Sequence, residues 1–264
     1  MNEREIELNV PIKDNKKLEE IVQKVNANKV LITRLRAANI SSMARIGFAD
    51  HGPVHVKIVA NIALRILRLL RKKGVESTVV RDYKDYGLTE DDADIVIYLG
   101  CILHDIGMVL NREKHDELGM VLAMPILADL LKDTYNEEQA VIMTSEVLHA
   151  ILMHDKSAKP LTVEAGILRI ADGLDMEKGR ARIPFDAGKI NIHSVSALAV
   201  EKVEIKEGSD KPVEITINLD NPAGIFQIDD LLKEKINISG LKEHITVNVL
   251  VESGKNEIFK NYKL

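Results

Sequence analysis

The chain has 264 residues, of which 45% are hydrophobic, enough for one large domain or two unequal ones with apolar cores. Its net charge of −5 excludes a general positive field, so we expect no sequence-independent binding to duplex nucleic acid. Cys101 is its only cysteine, which excludes an internal disulfide framework and suits a reducing cytoplasm.

The composition of the first twelve residues does not predict a targeting signal. Residues 1–12 include several charged side chains and lack the apolar run of a signal peptide. No stretch of the sequence approaches the length of a membrane span. We therefore expect a cytoplasmic protein that is neither exported nor inserted into a membrane.

Residues 15–175 show apolar spacing typical of helices almost throughout. One helix is predicted from near Pro53 to Gly74, and a second should begin after Thr89, an N-cap followed by acidic residues, and end near Gly107. Three further helices are predicted at residues 114–132, 136–154 and 162–176.

The apolar period changes after Pro184. Apolar and polar residues alternate over residues 213–219 and again over 245–251, as half-buried strands require, and residues 225–236 between them have helical spacing. We predict a mainly α domain over residues 1–183 and a smaller α+β domain over residues 184–264, ordered strand, strand, helix, strand. Strand edges in the smaller domain indicate a homo-oligomer.

The dipeptide His-Asp begins at three positions, His104, His115 and His154. His104 and Asp105 are distinguished because they end a strongly apolar helix. Burying an imidazole and a carboxylate without partners is costly, and a divalent metal removes that cost. His55 and Asp172 also lie among apolar residues of their predicted helices, and mixed histidine and carboxylate ligation from facing helices is typical of transition-metal sites.

The order His55, His104-Asp105 and Asp172 resembles the HD superfamily of metal-dependent phosphohydrolases, over about residues 45–180. The resemblance implies a helical HD bundle in which these four residues bind a divalent transition metal such as Mn, Fe, Co, Ni or Zn. It also implies that Asp105 bridges two metals in dinuclear members, so His104 and Asp105 are our candidate catalytic residues.

His115 and His154 follow the order seen in six-ligand members of the superfamily, such as HD-type diadenosine tetraphosphate hydrolases and cyclic dinucleotide phosphodiesterases. We therefore expect two ions per chain. His51 and His149 are either hydrogen-bond partners of the ligands or competitors for their roles. A spacing of five puts His149 and His154 on different helix faces, and we prefer His154 as the ligand. The resemblance leaves the subfamily open, since the first group lacks a counterpart of residues 184–264.

A small phosphorylated substrate, in our interpretation a nucleotide, fits this ligand set. Two ions could acidify a bridging water, and the resulting hydroxide would cleave a phosphoester or phosphoanhydride bond. Lys178, Arg180 and Arg182 closely follow Asp172 and are candidates for binding substrate phosphate. Alternatively, these cations are solvated charges at a helix end.

Two other functions remain open at the level of sequence. HD-fold proteins that resemble this one at the ligands include di-iron oxygenases, which would require a redox-active iron pair. A metal-binding regulatory protein without turnover is the second alternative, with residues 184–264 forming a sensory or oligomerising surface. Dependence on iron and oxygen would distinguish the first, and saturable binding without turnover the second.

Overall fold

A computed structural model describes residues 6–155, 158–178, 192–251 and 262–263. A helical bundle comes first in the chain and a smaller α+β unit follows, which confirms the predicted fold class. The predicted domain boundary at 183/184 lies outside the described residues. Within the described ranges, no helix combines the length and apolar character needed to cross a bilayer.

Eight helices of the described chain form the bundle. They are α1 Lys16–Ala27, α2 Lys29–Asn39, α3 Pro53–Lys72, α4 Thr78–Tyr83, α5 Glu90–Leu103, α6 His115–Leu131, α7 Glu137–Met153 and α8 Val163–Leu174. A turn of π-helix over Ile40–Arg45 extends α2, and a turn of 3-10 helix over Ile106–Val109 follows α5. The bounds of α3, α6, α7 and α8 agree with the predicted ones to within about two residues.

The residues that begin α3 and α5 act as their sequence predicts. Pro53 occupies the first turn of α3, where a missing amide proton costs nothing. Thr89 and Asp92 form a capping box at the start of α5, with the Asp92 carboxylate accepting from the Thr89 amide at 2.7 Å. Helix α5 ends at Leu103, somewhat before the predicted Gly107, so that His104 lies directly after its last turn.

Helix α5 is the central element of the bundle. It is buried from Asp92 to Leu103 and packs against α3, α7 and α8. The buried carboxylate of Asp94 is neutralised by Arg68 and Arg71 from α3, at 2.7 and 2.8 Å. An apolar helix that is covered on all sides holds its carboxyl-terminal end in a fixed position.

The α+β unit contains one mixed sheet. Its described elements are α9 Ile192–Leu198, β1 Val200–Glu207, β2 Val213–Leu219, α10 Lys233–Ile238, β3 Ile245–Val251 and β4 Tyr262–Lys263. The strands are ordered β1-β2-β3-β4, antiparallel except for the parallel pair β2 and β3, in which Val213 lies opposite Ile245. Strands β2 and β3 coincide with the two predicted from alternation.

The segment between β2 and β3 is less regular than predicted. Where residues 225–236 were expected to form one helix, a turn of π-helix covers Gln227–Leu232 and α10 begins only at Lys233. Ile228, Leu232 and Ile236 still form its buried face. This segment packs against α8, which brings the α+β unit to the edge of the candidate site.

Candidate metal centre

Four histidines converge in the interior of the bundle, each from a different part of the chain. His55 lies in the first turn of α3, His104 follows α5, His115 begins α6 and His154 follows α7. All four are buried, with exposed fractions between 0% and 8%. The structure thus brings together the four imidazoles that the sequence predicts as metal ligands.

Hydrogen bonds at Nδ1 orient each of these rings. Three of the histidines donate from Nδ1 to the backbone carbonyl three residues earlier: His104 to Cys101 at 2.8 Å, His115 to Arg112 at 2.6 Å and His154 to Ile151 at 2.6 Å. A carbonyl oxygen only accepts, so the proton of each neutral ring sits on Nδ1 and Nε2 carries a lone pair. Metal-binding imidazoles have the same arrangement.

His55 is held by a carboxylate instead of a carbonyl. Its Nδ1 donates to Asp175 Oδ2 at 2.6 Å, which again leaves the lone pair on Nε2. Hydrogen bonding to a carboxylate raises the basicity of the imidazole and fixes its orientation, as in carboxylate–histidine–metal triads. Asp175 is itself buried, so this contact is shielded from water.

The Nε2 atoms meet in two pairs. His55 Nε2 lies 3.2 Å from His104 Nε2, and His115 Nε2 lies 2.9 Å from His154 Nε2. Two lone pairs at these distances repel each other and cannot form a hydrogen bond. A cation between them would turn each repulsive contact into a favourable one. The residues therefore fit divalent metal ions, for which neutral imidazole is a preferred ligand.

Asp105 lies between the two histidine pairs and turns one oxygen toward each. Its Oδ2 is 3.2 Å from the Nε2 atoms of both His55 and His104. Its Oδ1 is 3.5 Å from His115 Nε2 and 3.9 Å from His154 Nε2. Oδ2 is also buried without a hydrogen-bond donor. A carboxylate in this position can bridge two metal ions.

The electrostatics keep Asp105 ionised. Burial alone would raise its pKa, but the imidazoles of His104, His51 and His55 outweigh burial and hold the pKa well below its usual range. Burial, together with the neighbouring imidazoles of His104 and His115, lowers the pKa of His154 to about 3. An ionised Asp105 carboxylate and a neutral His154 imidazole are the protonation states that metal binding requires at these two residues.

Asp172, at the end of α8, faces the first histidine pair. Its Oδ1 is 3.3 Å from His55 Nε2 and 3.8 Å from His104 Nε2. Its Oδ2 accepts a hydrogen bond from Lys235 Nζ at 2.6 Å. Burial would raise the Asp172 pKa, but Lys235 and His55 hold it well below the usual range. Asp172 completes the set of six residues predicted to bind metal.

A close backbone approach positions His115 beside the His-Asp turn. Gly107 lies two residues after Asp105, and a Cβ at this position would come within 1.9 Å of the His115 carbonyl oxygen and 2.6 Å of the Gly119 amide nitrogen. Only glycine permits this contact. The 3-10 turn can therefore lie directly against the start of α6.

Arg169 ties α8 to the end of α7. Its side chain is almost fully buried and donates hydrogen bonds to the carbonyl oxygens of Met153 and Ala158, from Nε at 2.9 Å and from Nη1 at 3.0 Å respectively. Met153 directly precedes His154, and Arg169 lies one turn before Asp172. Helix α8 thus carries the candidate ligand Asp172 and also fixes the end of α7, after which the candidate ligand His154 follows.

The other predicted histidines do not join the two clusters of ligand atoms. His51 is buried, donates from Nδ1 to the Ala49 carbonyl at 2.8 Å and has its ring centre 5.4 Å from that of His55. His149 Nε2 accepts a hydrogen bond from the Leu161 amide at 3.1 Å. Of the two histidines considered for one ligand position, His154 is the one that lies in the site.

The predicted phosphate-binding cations are placed only in part. Lys178 is exposed and forms an ion pair with Glu201 of β1 at 2.5 Å. Arg180 and Arg182 lie outside the described residues. Their roles stay predictions.

Sequence reasoning missed two residues of the site. Asp175 was not among the predicted site residues, although its position three residues after Asp172 was a usable signal, because residues at this spacing lie on one side of a helix end. Lys235 gave no signal at all, since it lies in the other unit, 63 residues beyond its partner Asp172.

Comparisons with known proteins agree with this geometry. Residues 54–177 match the family model described as HD domain. The chain is 46% identical over 228 residues to the uncharacterized protein MJ1020 of Methanocaldococcus jannaschii, covering 86% of this chain and 87% of that protein. It is 27% identical over 168 residues to Ribonuclease Y of Thermoanaerobacter pseudethanolicus, covering 63% of this chain and 30% of that protein.

No solved structure matches the chain at a significant level. The family match spans His55, His104, Asp105, His115, His154 and Asp172, which are the residues that converge in the interior of the bundle. The chain therefore belongs to the HD domain family, a superfamily of metal-dependent hydrolases.

Proposed function

We propose that this protein is a metal-dependent phosphohydrolase that cleaves a phosphoester or phosphoanhydride bond in a small, nucleotide-like substrate. The observation that carries the proposal is the position of Asp105 between the two histidine pairs. One of its carboxylate oxygens faces the Nε2 atoms of His55 and His104, and the other faces those of His115 and His154. This arrangement favours two divalent ions that share one carboxylate, a design suited to transfer of a phosphoryl group.

The six residues divide into two ligand groups. His55, His104 and Asp172 would hold one ion, His115 and His154 would hold the other, and Asp105 would contact both. Ions bound there would polarise the phosphoryl oxygens and lower the pKa of a coordinated water. The chain itself orients the ligands, through the carbonyl contacts at Nδ1 and the contact between His55 and Asp175.

The nucleotide-like character of the substrate is supported by groups close to the histidines. The Arg112 guanidinium lies 3.9 Å from the ring centre of Phe48, and both side chains are exposed. The Phe48 ring centre is 5.3 Å from that of His51, which adjoins His55. An aromatic ring and a guanidinium can stack on a base and contact a phosphate. Lys178, Arg180 and Arg182 remain proposed contacts for the same phosphate.

The name of one relative, Ribonuclease Y, adds an RNA phosphodiester to the substrates worth testing. The chain aligns with only 30% of that protein, and its net charge of −5 favours a short oligonucleotide over a long duplex. We place nucleotides and short single-stranded phosphodiesters in one substrate class for the test.

The test combines metal analysis with turnover. Purified full-length protein would be loaded with Mn, Co or Fe and assayed against phosphomonoesters, dinucleotides, cyclic dinucleotides and short oligoribonucleotides. We expect about two ions per chain and release of a phosphate or nucleotide product. The folded Asp105→Ala variant should lose this activity, because it removes the shared carboxylate.

Three outcomes would contradict the proposal. Wild-type turnover in a metal-loaded Asp105→Ala sample would show that the site is not catalytic. Saturable binding of these substrates without any turnover would favour the regulatory alternative. Oxygen consumption that requires iron, with no hydrolysis in manganese or cobalt, would favour an oxygenase.

A further inference from the structure

The α+β unit delivers a lysine to the metal centre. Lys235, in α10, donates to Asp172 Oδ2 at 2.6 Å, while Asp172 Oδ1 faces His55 and His104. The side chains of Lys235 and Asp172 are 20% and 17% exposed. The ammonium group therefore lies at the edge of the centre, in contact both with a predicted metal ligand and with solvent.

The packing of α10 against α8 depends on two glycines. Gly166 and Gly173 lie two turns apart on α8, on the face that α10 covers. A Cβ at Gly166 would lie 2.4 Å from the Ser239 carbonyl oxygen, and one at Gly173 would lie 2.9 Å from Lys235 Cδ. The absence of both side chains lets α10 approach closely and lets the Lys235 side chain run along α8 to reach Asp172.

A neighbouring lysine shows what an ordinary surface pair on this helix looks like. Lys233 contacts Asp229 at 3.2 Å, and both side chains are about half exposed, at 45% and 43%. Such pairs contribute little to stability. Lys235 differs because its partner is a carboxylate expected to bind metal through its other oxygen, and because an ammonium group has three donors, of which the contact with Asp172 uses one.

We propose that Lys235 is a substrate-binding residue, which donates a hydrogen bond to the phosphoryl group of the substrate. The ligand class is a phosphate mono- or dianion held between the metal centre and the ammonium group. This inference rests on the proposed function. It implies that the centre is complete only when the α+β unit is docked on α8, and it gives that unit a role in binding substrate.

The experiment measures inorganic phosphate binding to metal-loaded, full-length protein by titration calorimetry. Lys235→Met should weaken phosphate binding at least about 10-fold, because a charge-assisted hydrogen bond is lost. Lys235→Arg should retain most of the affinity, since the charge and donors remain. Lys233→Met, two residues away, is the matched control and should bind phosphate like the wild type. Bound metal should be the same in all four proteins.

Gly173→Ala is an independent variant, because it tests the position of Lys235 without substituting it. The added methyl group displaces the Lys235 side chain, so phosphate affinity should fall as in Lys235→Met while circular dichroism reports an unchanged fold. Where a substrate is known, Lys235→Met should raise KM more than it lowers kcat.

Two results would overturn the proposal. Wild-type phosphate affinity in Lys235→Met would show that Lys235 does not contact the anion. Loss of metal in that variant, together with loss of phosphate, would show that Lys235 only holds Asp172 in position. The two proposals can be refuted independently of each other. Absence of turnover in the wild type would refute the proposed hydrolase activity, while the phosphate titration would still test the role of Lys235.

Discussion

Helix α8 carries a carboxylate side chain near each end, and the pKa values of the two are shifted in opposite directions. Glu164, in the first turn, has its pKa raised by burial to about 7. Asp172, in the last turn, has its pKa held well below the usual range, because Lys235 and His55 outweigh the effect of burial. The helix macrodipole favours the opposite order, with anions at the amino-terminal end. The local partners therefore determine which acid is charged.

The partners at the two ends explain the difference. Glu164 Oε1 accepts a hydrogen bond from the Val79 amide at 3.2 Å, its Oε2 is buried without a donor, and the nearby acid Glu146 raises its pKa further. Asp172 contacts an ammonium group and two imidazoles. One end of α8 thus holds an acid that stays largely protonated below about pH 7, and the other holds an anion ready for a metal.

The largest effect is expected from removing the anion. Asp172→Asn preserves the shape of the side chain but removes the negative charge that faces His55 and His104. We therefore expect kcat to fall at least about 100-fold and bound metal to decrease. Asp129→Asn, an exposed carboxylate on α6, is the control and should behave like the wild type. Full metal content and activity in Asp172→Asn would remove Asp172 from the ligand set.

The second prediction concerns the other histidine pair, His115 and His154, near whose Nε2 atoms Asp105 is the only carboxylate within 4 Å among the described residues. His115→Ala or His154→Ala should each lower bound metal from about two ions to about one, with a severe loss of kcat, because one ion loses an imidazole. His149→Ala should keep both ions, since His149 bonds to Leu161 outside the site. His51→Ala should also keep both.

Elemental analysis of the four histidine variants decides between the assignments. If His154→Ala retained two ions and His149→Ala lost one, His149 and not His154 would be the metal ligand.

A smaller effect is expected when the support of a ligand is removed but the ligand remains. Asp175→Asn leaves His55 in place and weakens its orienting hydrogen bond, so metal affinity should fall about 10- to 100-fold. At saturating metal concentration, Asp175→Asn should bind as many metal ions per chain as the wild type, whereas Asp172→Asn should bind fewer. Unchanged affinity in a competitive chelator titration would show that Asp175 does not tune the site.

The fourth prediction concerns Glu164, in the first turn of α8, whose substitution should leave activity unchanged. Glu164 has a folded-state pKa of about 7 against an ordinary 4.5. The stability it contributes is therefore fully present below pH 4.5 and is lost as the pH rises through 7. Glu164→Gln abolishes this titration and should raise the free energy of unfolding by up to about 3 kcal/mol at pH 8, with little effect at pH 4.5.

Urea unfolding at the two pH values measures this difference. Glu138→Gln is the matched control, because Glu138 occupies the same position in the first turn of α7 and is exposed. Equal stability of Glu164→Gln and the wild type at pH 8 would show that the pKa of Glu164 is not raised in the folded protein.

Local pattern was sufficient to predict much of the fold and of the site. Alternation located β2 and β3 because one face of each strand is buried, and capping residues located the starts of α3 and α5. His104 and Asp105 stood out because polar side chains that end an apolar helix need a partner. The irregular turn over Gln227–Leu232 could not be predicted, since its buried face has the same spacing as that of a regular helix.

Contacts between distant segments were beyond the reach of such patterns. Lys235 meets Asp172 only because α10 packs on α8, and its neighbours in sequence resemble those of any surface lysine. Arg169 is similar, since a basic residue within an apolar helix does not indicate which carbonyl groups it will bind. Tertiary packing determines both contacts.

The buried arginine has a thermodynamic consequence for metal loading. Arg169 connects the chain end before His154 to α8, whose last turn carries Asp172, so the two ligand groups share one support. When one ion orders that support, part of the conformational entropy that the second ion would have to remove is already gone. We therefore expect the two ions to bind with positive cooperativity, and the apo and doubly loaded forms to dominate over the singly loaded form at intermediate metal concentrations.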